Sequence, residues 1–472
     1  MPGDEIITLF RKMQKHKIFL WAITSALGGF LFGFDTAVIS GGEQQIQNYW
    51  DLSNILLGQT VAMALYGTII GAIFGGYPAQ WYGRKLSLIW IAAFFLISAI
   101  GSALAPSVYW LMFFRLIGGL SIGASSVVAP MYISEIAPAE KRGRLTALFQ
   151  FNVVLGILIA YFSNYLIGAD VEGSWRWMLG VEVIPATLFL VLVFFIPESP
   201  RWLIVAKNRV QEAREILRII DPAKVDDSVQ AIQASDTHKG KTATVFEFFS
   251  GKFTFPIILA FLFAFFNQVS GINAIIYFAP RIFEMTGMGA DAALLSTVGV
   301  GVVNLVFTMI GLLMIDRFGR RFLMYICSFG YILSLSIIAY AFFTETFFGM
   351  LVPGLIFLFI ASHAIGQGAV IWVFISEIFP NVVRSFGNSL GSSTHWIFAA
   401  LIAGNFVYLE SLFGGGPIFT FFAIMMVLQL LFVWKVMPES KNITLEEMEV
   451  KLGISTEDLK EIIPEEEVKK QI

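Results

Sequence analysis

Long apolar runs, separated by short polar connections, fill almost the whole chain. Each run has about the 20 residues that an α-helix needs to cross the hydrocarbon core of a bilayer. We therefore predict twelve transmembrane helices, at residues 18–40, 56–78, 85–105, 108–132, 146–168, 175–196, 254–283, 292–315, 322–343, 348–379, 386–408 and 415–437. The expected fold class is an all-α membrane protein embedded in a lipid bilayer.

The one extended polar stretch, residues 201–252, lies between the sixth and the seventh predicted helix. In this stretch Val210, Ala213 and Leu217 recur at helical spacing among charged residues. Such a pattern predicts short amphipathic helices that lie on the cytoplasmic face of the membrane. A short acidic tail, 441–472, follows the last predicted helix and is expected to be solvated.

Three motifs occur once in each half of the chain, six predicted helices apart. Their copies begin at Gly83 and Gly319, at Ser134 and Ser376, and at Pro197 and Pro438. A parallel repeat is typical of transporters whose two pseudo-symmetric six-helix halves bind the substrate between them. The expected organisation is an amino-terminal half at 1–200, a linker at 201–252, a carboxy-terminal half at 253–440 and a tail at 441–472.

The composition agrees with a membrane protein, because 57% of the residues are hydrophobic and only 14% are charged. Soluble domains carry about 25% charged residues. The net charge of −3 offers no basic surface for a nucleic acid. Four histidines without ligand spacing predict neither a metal nor a cofactor, and the single Cys327 is expected to be a buried thiol.

Basic residues are concentrated in the connections on one side of the predicted membrane region, as at Arg84, Arg142 and Arg320. The opposite connections carry mainly acidic residues, such as Glu43 and Asp291. Because basic connections stay in the cytoplasm, both termini are expected there, in a multi-pass protein of the inner or plasma membrane. The first apolar run is long enough to span and is not expected to be a cleaved signal peptide.

Charged residues at the cytoplasmic ends of the predicted helices are candidates for a gate. They are Glu135 and Glu377, which end the fourth and tenth helices, and Arg84, Arg142, Arg320 and Arg384 in nearby turns. Ion pairs between them would hold the two halves together and break when the inside opens. The alternative is that these charges only fix the topology.

Three ionisable residues, Asp35, Arg115 and Glu182, fall well inside predicted helices. Such residues are costly in hydrocarbon and therefore point to function. All three lie roughly 8–11 Å below the outer ends of their helices, at 1.5 Å per residue, so they share one layer. Arg115 keeps its charge and would pair with Asp35 until a proton neutralises the carboxylate. The alternative is a purely structural ion pair, and Glu182 is the weaker candidate, as a partner that orients Arg115.

The seventh predicted helix carries a dense group of amides, Asn267, Gln268 and Asn273. Amide donors and acceptors, together with an aromatic surface, suit the hydroxyl groups of a sugar. In an unbroken helix Gln268 and Asn273 would point about 140° apart. Local unwinding at Gly271 would bring them together, as in the discontinuous helices of transporters.

The sequence resembles the sugar porter family of the major facilitator superfamily and is most similar to bacterial pentose– and hexose–proton symporters. The resemblance rests on the sequence from Gly33 to Gly41, on Pro-Glu-Ser-Pro-Arg at 197–201 and on the two Gly-Arg turns, and it extends over about 18–450. In sugar–proton symporters of this family an Asp at the position of Asp35 is the coupling residue, whereas facilitators usually have an uncharged residue there.

The same resemblance implies sugar contacts at Gln150, Gln268, Asn273, Asn304 and Trp372, with Phe32, Tyr277 and Gly368 lining the site. Asn267 stands where a second Gln is usual, and His395 stands where close relatives often have an amide, so both are further candidates. A lone Asn also serves as a hydrogen-bonding contact between helices, which is the alternative for Asn304. Plain packing is the alternative for Trp372.

We therefore expect a monomeric transporter that carries a pentose or hexose by alternating access, coupled to protons. An uncoupled facilitator of a hexose or a polyol such as inositol is the first alternative, which Asp35 disfavours. A non-transporting sugar sensor is the second, which the short tail disfavours. An enzyme is not expected, because no nucleophile–base pair or metal cluster is evident outside the charged layer.

Overall fold

The structure, a computed structural model, describes residues 2–168, 173–237 and 244–454. In the first part of the chain the α-helices are α1 (Pro2–Val38), α2 (Glu43–Tyr49), α3 (Asn54–Phe74), α4 (Gly76–Trp81), α5 (Arg84–Ala103), α6 (Val108–Ile136), α7 (Arg142–Ile167), α8 (Ser174–Gly180), α9 (Val183–Val193), α10 (Pro200–Lys207), α11 (Val210–Ile220) and α12 (Val225–Thr237). Short 3-10 helices lie at Ile39–Gly41, Ala139–Lys141 and Pro222–Lys224.

The second part of the chain is also helical. Its α-helices are α13 (Val245–Phe248), α14 (Thr254–Val269), α15 (Ile272–Glu284), α16 (Ala290–Phe318), α17 (Arg320–Thr344), α18 (Leu351–Ile365), α19 (Gln367–Glu377), α20 (Arg384–Phe413), α21 (Gly415–Lys435) and α22 (Leu445–Lys451). The expected all-α fold is confirmed.

Twelve helical segments in the described chain are long and apolar enough to cross a membrane, which is the predicted number. They are His16–Gly41, Asn54–Trp81, Arg84–Ala103, Val108–Ile136, Arg142–Ile167, Ser174–Val193, Thr254–Glu284, Ala290–Phe318, Arg320–Thr344, Leu351–Glu377, Arg384–Phe413 and Gly415–Lys435. We number them membrane segments 1 to 12. Their ends differ from the predicted ends by a few residues, because several helices continue into polar turns that the apolar pattern does not include.

Some membrane segments are interrupted rather than continuous. Segment 7 breaks between α14 and α15, where Gly271 has a φ of +87°, in the left-handed region that favours glycine. Segment 10 breaks at Gly366, between α18 and α19. A Cβ at position 366 would lie 2.2 Å from the Cβ of Cys327, so glycine also permits the close approach of α17.

One compact unit of the chain consists of Met1–Ile39, Met63–Ser163 and Gly173–Lys239. Its core contains Phe95, Tyr132 and Phe189, which are all buried. Small residues let its helices approach closely: a Cβ at Gly119 of α6 would lie 1.9 Å from the main-chain oxygen of Ala64. This packing matches the general role of small residues between membrane helices.

In the described parts of the polar stretch, 201–237 and 244–252, the chain forms short helices, as predicted. Ala213 and Leu217 of α11 are buried, and they pack in one apolar cluster with Trp202 and Leu203 of α10. Trp202 Nε1 also donates a hydrogen bond of 2.8 Å to the main-chain oxygen of Gln80. The apolar face of the amphipathic pattern therefore packs within the first unit.

The other compact unit consists of Ser40–Ala62, Asn164–Glu172 and Gly240–Ile472. Its interior is rich in aromatic contacts, such as that of Phe263 in α14 with Phe374 in α19, whose ring centroids are 5.0 Å apart. The two units alternate along the sequence, whereas the repeat predicts one junction between the halves. The expected division into six-helix halves, with a linker and a tail, stays a prediction. The expectation of a solvated tail is corrected for its described part, because Met448, Leu452 and Ile454 are buried there.

Candidate transport site

An ion pair lies inside the first unit, between membrane segments 1 and 4. Arg115 Nη1 donates hydrogen bonds to Asp35 Oδ1 at 2.5 Å and to the main-chain oxygen of Asp35 at 3.0 Å. Arg115 is 0% exposed and Asp35 is 2% exposed. Gly118, one turn after Arg115, leaves room for the carboxylate, since a Cβ there would lie 3.2 Å from Asp35 Oδ2. The predicted pairing of Asp35 with Arg115 is therefore confirmed.

Glu182 lies close enough to this pair to interact electrostatically with both of its members. It precedes α9, at the interruption of membrane segment 6. In the part of the chain that the structure describes, Glu182 Oε1, Asp35 Oδ2 and two nitrogens of Arg115 have no hydrogen-bond partner. Within the described residues Glu182 makes no hydrogen bond to Arg115, and its role as a partner of Arg115 stays a prediction.

The predicted amide group lies at the break of membrane segment 7. Gln268 is near the end of α14 and Asn273 is near the start of α15, and Gly271 turns the chain between them. Asn273 Nδ2 donates a hydrogen bond of 2.6 Å to Gln268 Oε1. The expected unwinding at Gly271 is therefore confirmed, and it brings the two amides together.

His395 and Trp372 lie beside these amides. Gln268 Nε2 lies 3.1 Å from the ring nitrogens of His395. The rings of His395 and Trp372 have centroids 5.0 Å apart, and Trp372 remains 41% exposed. Four of the predicted sugar-contact residues, Gln268, Asn273, His395 and Trp372, are thus neighbours within the second unit, and they combine amides with an exposed aromatic surface.

The remaining predicted contacts have other surroundings. Asn304 Oδ1 accepts a hydrogen bond of 3.4 Å from Thr308 on its own helix. Tyr277 is fully buried on α15, one turn after Asn273, and Gly368 lies near the start of α19. Gln150 and Phe32 belong to the first unit, where Gln150 is half-buried about two turns after the start of α7.

Asn267 uses both ends of its amide inside the protein. Its Oδ1 accepts from Gln268 at 2.8 Å, and its Nδ2 donates to Gln367 Oε1 at 3.1 Å. Gln367 in turn donates to Gln429 at 2.8 Å, and Gln429 donates to Ser328 at 2.9 Å. Gln367, Gln429 and Ser328 were not among the predicted site residues, although two glutamines in apolar segments are a signal of function.

The predicted gate residues form two similar ion pairs. Arg84 binds Glu135 through two hydrogen bonds, both of 2.9 Å. Arg320 binds Glu377 through two hydrogen bonds of 3.1 and 2.7 Å. The first pair lies within the first unit and the second pair within the second unit. The expectation that these pairs join the two halves is therefore corrected, because each pair connects helices of its own unit.

The other two predicted gate residues pair with neither glutamate. Arg142, at the start of α7, is exposed. Arg384 donates through Nε to the main-chain oxygen of Phe379 at 3.3 Å. Within the described residues, neither arginine forms an ion pair with Glu135 or Glu377.

The glutamate of the repeated Pro-Glu-Ser motif caps the start of a helix in each unit. Glu198 accepts hydrogen bonds from the main-chain N–H groups of Arg84 and Lys85 at the start of α5. Glu439 accepts from the N–H groups of Arg320 and Arg321 at the start of α17 in the same way. Each glutamate thus satisfies free donors at a helix start. Burial raises the pKa of Glu198, and the hydrogen bonds from the N–H groups offset part of this increase.

A second charged group occurs at the end of membrane segment 7. Arg281 donates to both carboxylate oxygens of Glu43 in α2, at 2.8 and 2.6 Å, and to Gln47 Oε1 at 2.7 Å. Gln44 donates to Glu284 at 2.9 Å next to it. These residues fasten α2 to α15 within the second unit. From the sequence, Glu43 was expected only to mark the outer side of the membrane.

Known proteins match almost the whole chain. A family model described as "Sugar (and other) transporter" matches residues 21–452. The D-xylose-proton symporter of Escherichia coli (strain K12) is 36% identical, over 92% of this chain and 96% of that protein. The arabinose-proton symporter of Bacillus subtilis (strain 168) is also 36% identical, over 92% of this chain and 94% of that protein.

Solved structures match equally completely. The inward open conformation of the xylose transporter XylE from E. coli has a TM-score of 0.82, at 34% identity, and covers 92% of this chain and 99% of XylE. A proton:xylose symporter structure of the major facilitator superfamily, XylE bound to 6-bromo-6-deoxy-D-glucose, has a TM-score of 0.74 at 35% identity, over 93% and 100% of the two chains. This chain belongs to the sugar transporter family, within the major facilitator superfamily.

Proposed function

We propose that this protein carries a pentose or hexose across the plasma membrane by alternating access, together with a proton. The relatives named as D-xylose-proton and arabinose-proton symporters support the class of substrate and the coupling. The buried ion pair of Asp35 and Arg115 is the observation that carries the proposal for this chain. The protein acts as a carrier and makes or breaks no covalent bond in the sugar.

Proton coupling requires a group that changes its charge during the cycle. A guanidinium group keeps its positive charge in proteins, so the change at the pair must take place on the carboxylate. A proton on Asp35 removes the charge that holds α1 against α6 through Arg115. Release of that proton on the other side of the membrane restores the pair.

Glu182 supplies a reason why the pair can open inside the membrane. A buried arginine that loses its carboxylate partner would be left as an uncompensated charge, which is strongly unfavourable. Glu182 is buried close to Arg115, and an ionised Glu182 would balance the charge of Arg115 while Asp35 carries the proton. Glu182 is therefore the counter-charge of the proton-loaded state.

The sugar binds at the break of membrane segment 7. Gln268, Asn273 and His395 provide polar groups, and the exposed Trp372 provides a flat apolar surface for the ring. Sugars are recognised by this combination of placed polar groups and apolar surface. Asn267, Gln150, Asn304, Phe32, Tyr277 and Gly368 complete the set of proposed contact and lining residues. We infer that the carrier works as a monomer with both termini in the cytoplasm.

The variant Asp35→Asn tests the coupling, because it keeps the shape of the side chain and removes its titration. In proteoliposomes with an inward proton gradient, the wild type should accumulate labelled D-xylose up to about tenfold per pH unit for one proton per sugar. In Asp35→Asn, net uptake should stop when the sugar concentrations inside and outside the proteoliposomes are equal, while exchange of labelled for unlabelled sugar continues. Asp291→Asn, at an exposed aspartate in the first turn of α16, is the matched control and should accumulate sugar normally.

Uphill accumulation by Asp35→Asn would overturn the role of Asp35. A wild type that exchanges sugar but never accumulates it would instead identify an uncoupled facilitator.

A further inference from the structure

A continuous chain of side-chain hydrogen bonds crosses the interior of the second unit. In order, its members are Asn273, Gln268, Asn267, Gln367, Gln429 and Ser328, and each donates to the next over 2.6, 2.8, 3.1, 2.8 and 2.9 Å. We call these six residues the amide chain. It begins at the break of membrane segment 7 and passes through segments 10 and 12 to segment 9.

The far end of the amide chain is completely buried. Gln367, Gln429 and Ser328 are each 0% exposed. Buried amides without partners are costly, whereas a fully connected network specifies one arrangement. Such a chain is therefore expected to have a single hydrogen-bonding pattern rather than several of equal energy.

Ser328 decides the direction of that pattern. Its hydroxyl donates to the main-chain oxygen of Met324 at 2.8 Å, and a carbonyl oxygen can only accept. The single hydrogen of the hydroxyl is thereby used, so Ser328 Oγ accepts from Gln429. Gln429 must then turn its NH₂ group towards Ser328 and its oxygen towards Gln367.

Each amide passes the same constraint to its neighbour. Gln367 turns its oxygen towards Asn267, and Asn267 turns its oxygen towards Gln268. Gln268 turns its second N–H towards His395, whose two ring nitrogens both lie 3.1 Å from Gln268 Nε2. The oxygen of Gln268 accepts from Asn273. Asn273 Oδ1 is left as an acceptor and the second N–H of Asn273 Nδ2 as a donor.

We propose that Ser328 and Gln429 are positioning residues for sugar recognition: the amide chain that ends at Ser328 sets which atom of the Asn273 amide accepts and which atom donates. This inference rests on the proposed function of the amides at the break of segment 7. A fixed acceptor and a fixed donor discriminate between sugars that differ in the direction of one hydroxyl. Ser328 thus acts on the preference between epimers without touching the sugar.

The variant Ser328→Ala removes the acceptor of Gln429 and frees the amide chain to reverse. The measurement is isothermal titration of the purified protein with D-xylose and with L-arabinose, its epimer at C4. We expect the ratio of the two dissociation constants to change by about fivefold or more, the factor that corresponds to one net hydrogen bond.

Two further variants separate positioning from a general loss of structure. Ser334→Ala removes another fully buried hydroxyl of α17, which donates to the main-chain oxygen of Gly330 at 2.7 Å and lies outside the amide chain. In Ser334→Ala the ratio of the two dissociation constants should equal that of the wild type. Ser328→Thr keeps the hydroxyl and should restore the wild-type ratio. If Ser328→Ala does not fold, Gln429→Met, which keeps the side-chain length without its polar ends, provides the same test.

An unchanged ratio in Ser328→Ala or Gln429→Met, in a protein whose wild type binds the sugars, overturns the positioning role and leaves the proposed function intact. A wild type that binds neither these pentoses nor glucose or galactose overturns the proposed function itself.

Discussion

Glu43 is a fully buried carboxylate that lies outside the membrane segments. Both of its oxygens accept hydrogen bonds from Arg281. Burial nevertheless raises the pKa of Glu43 above its ordinary value of 4.5, and the contact with Arg281 offsets only part of this increase. At this residue the loss of hydration outweighs the attraction of the partner, so the ion pair is no proof of stabilisation.

The raised pKa of Glu43 predicts how the stability of the protein changes with pH. The folded protein binds a proton on Glu43 more tightly than the unfolded chain does. The contribution of protonated Glu43 to the free energy of unfolding is therefore fully present below about pH 4.5 and is lost as the pH rises through the pKa of the folded state. The difference in melting temperature between the wild type and Glu43→Gln should therefore grow in favour of the wild type as the pH falls through that window.

The exposed carboxylate of Asp51 provides the control for this measurement, since it lies on the connection that follows α2. Asp51 has a φ of +49°, and Asn tolerates this conformation, so Asp51→Asn adds no backbone strain. It should reproduce the pH dependence of the wild type. If the difference in melting temperature between the wild type and Glu43→Gln stays constant over the whole pH range, the predicted contribution of Glu43 to the pH dependence of stability is wrong.

At the scale of elements, membrane segment 7 depends on its break at Gly271. The left-handed φ at this position costs a residue with a Cβ about 1–2 kcal/mol. The added Cβ would also lie 2.6 Å from the ring of Phe422. A continuous helix would separate Gln268 from Asn273, and their hydrogen bond would be lost. The proposed sugar contacts of Gln268 and Asn273 therefore depend on the backbone conformation at Gly271.

We expect Gly271→Ala to lower the melting temperature and to weaken sugar binding by about tenfold, the equivalent of about 1.4 kcal/mol. Thermal unfolding and titration with D-xylose measure the two effects. Gly287→Ala is the matched control, because Gly287 has a φ of +86° but open space around it. It carries the backbone cost without the clash, so it should lower the melting temperature less and leave the affinity unchanged. Equal effects of the two variants would refute the link between the break and binding.

The charged turns form the same arrangement of hydrogen bonds in both units. In each unit an arginine at the start of a helix binds a glutamate through two hydrogen bonds, as Arg84 does with Glu135 and Arg320 with Glu377. A second glutamate, Glu198 or Glu439, accepts from the first N–H groups of the same helix. The repeat therefore preserves hydrogen-bond geometry in addition to sequence.

At the scale of the whole molecule, the distribution of basic residues predicts the orientation in the membrane. Protease-cleavable tags at both termini should be protected in intact cells without an outer barrier and cleaved in inverted vesicles. A tag inserted at Gly349, in the exposed connection between segments 9 and 10, should show the opposite pattern. Cleavage of a terminal tag in intact cells would reverse the predicted orientation.

The sequence alone determined the twelve membrane segments, because crossing hydrocarbon imposes a length and an apolarity on each stretch of the chain separately. It also determined that Asp35 pairs with Arg115, because buried charges are rare and need a partner of opposite sign. The break at Gly271 was predictable as well, since glycine next to clustered amides is a local signal.

The tertiary structure alone decided which polar groups meet across helices. The pairing of each gate arginine within its own unit, the caps made by Glu198 and Glu439, and the path through Gln367 and Gln429 to Ser328 join residues far apart in the sequence. Such contacts depend on how each helix is rotated about its axis and on which helix lies next to it. In segments that are apolar on all sides, hydrophobic periodicity determines neither the rotation of a helix nor its neighbour. These hydrogen-bond partners therefore follow only from the packing of the helices.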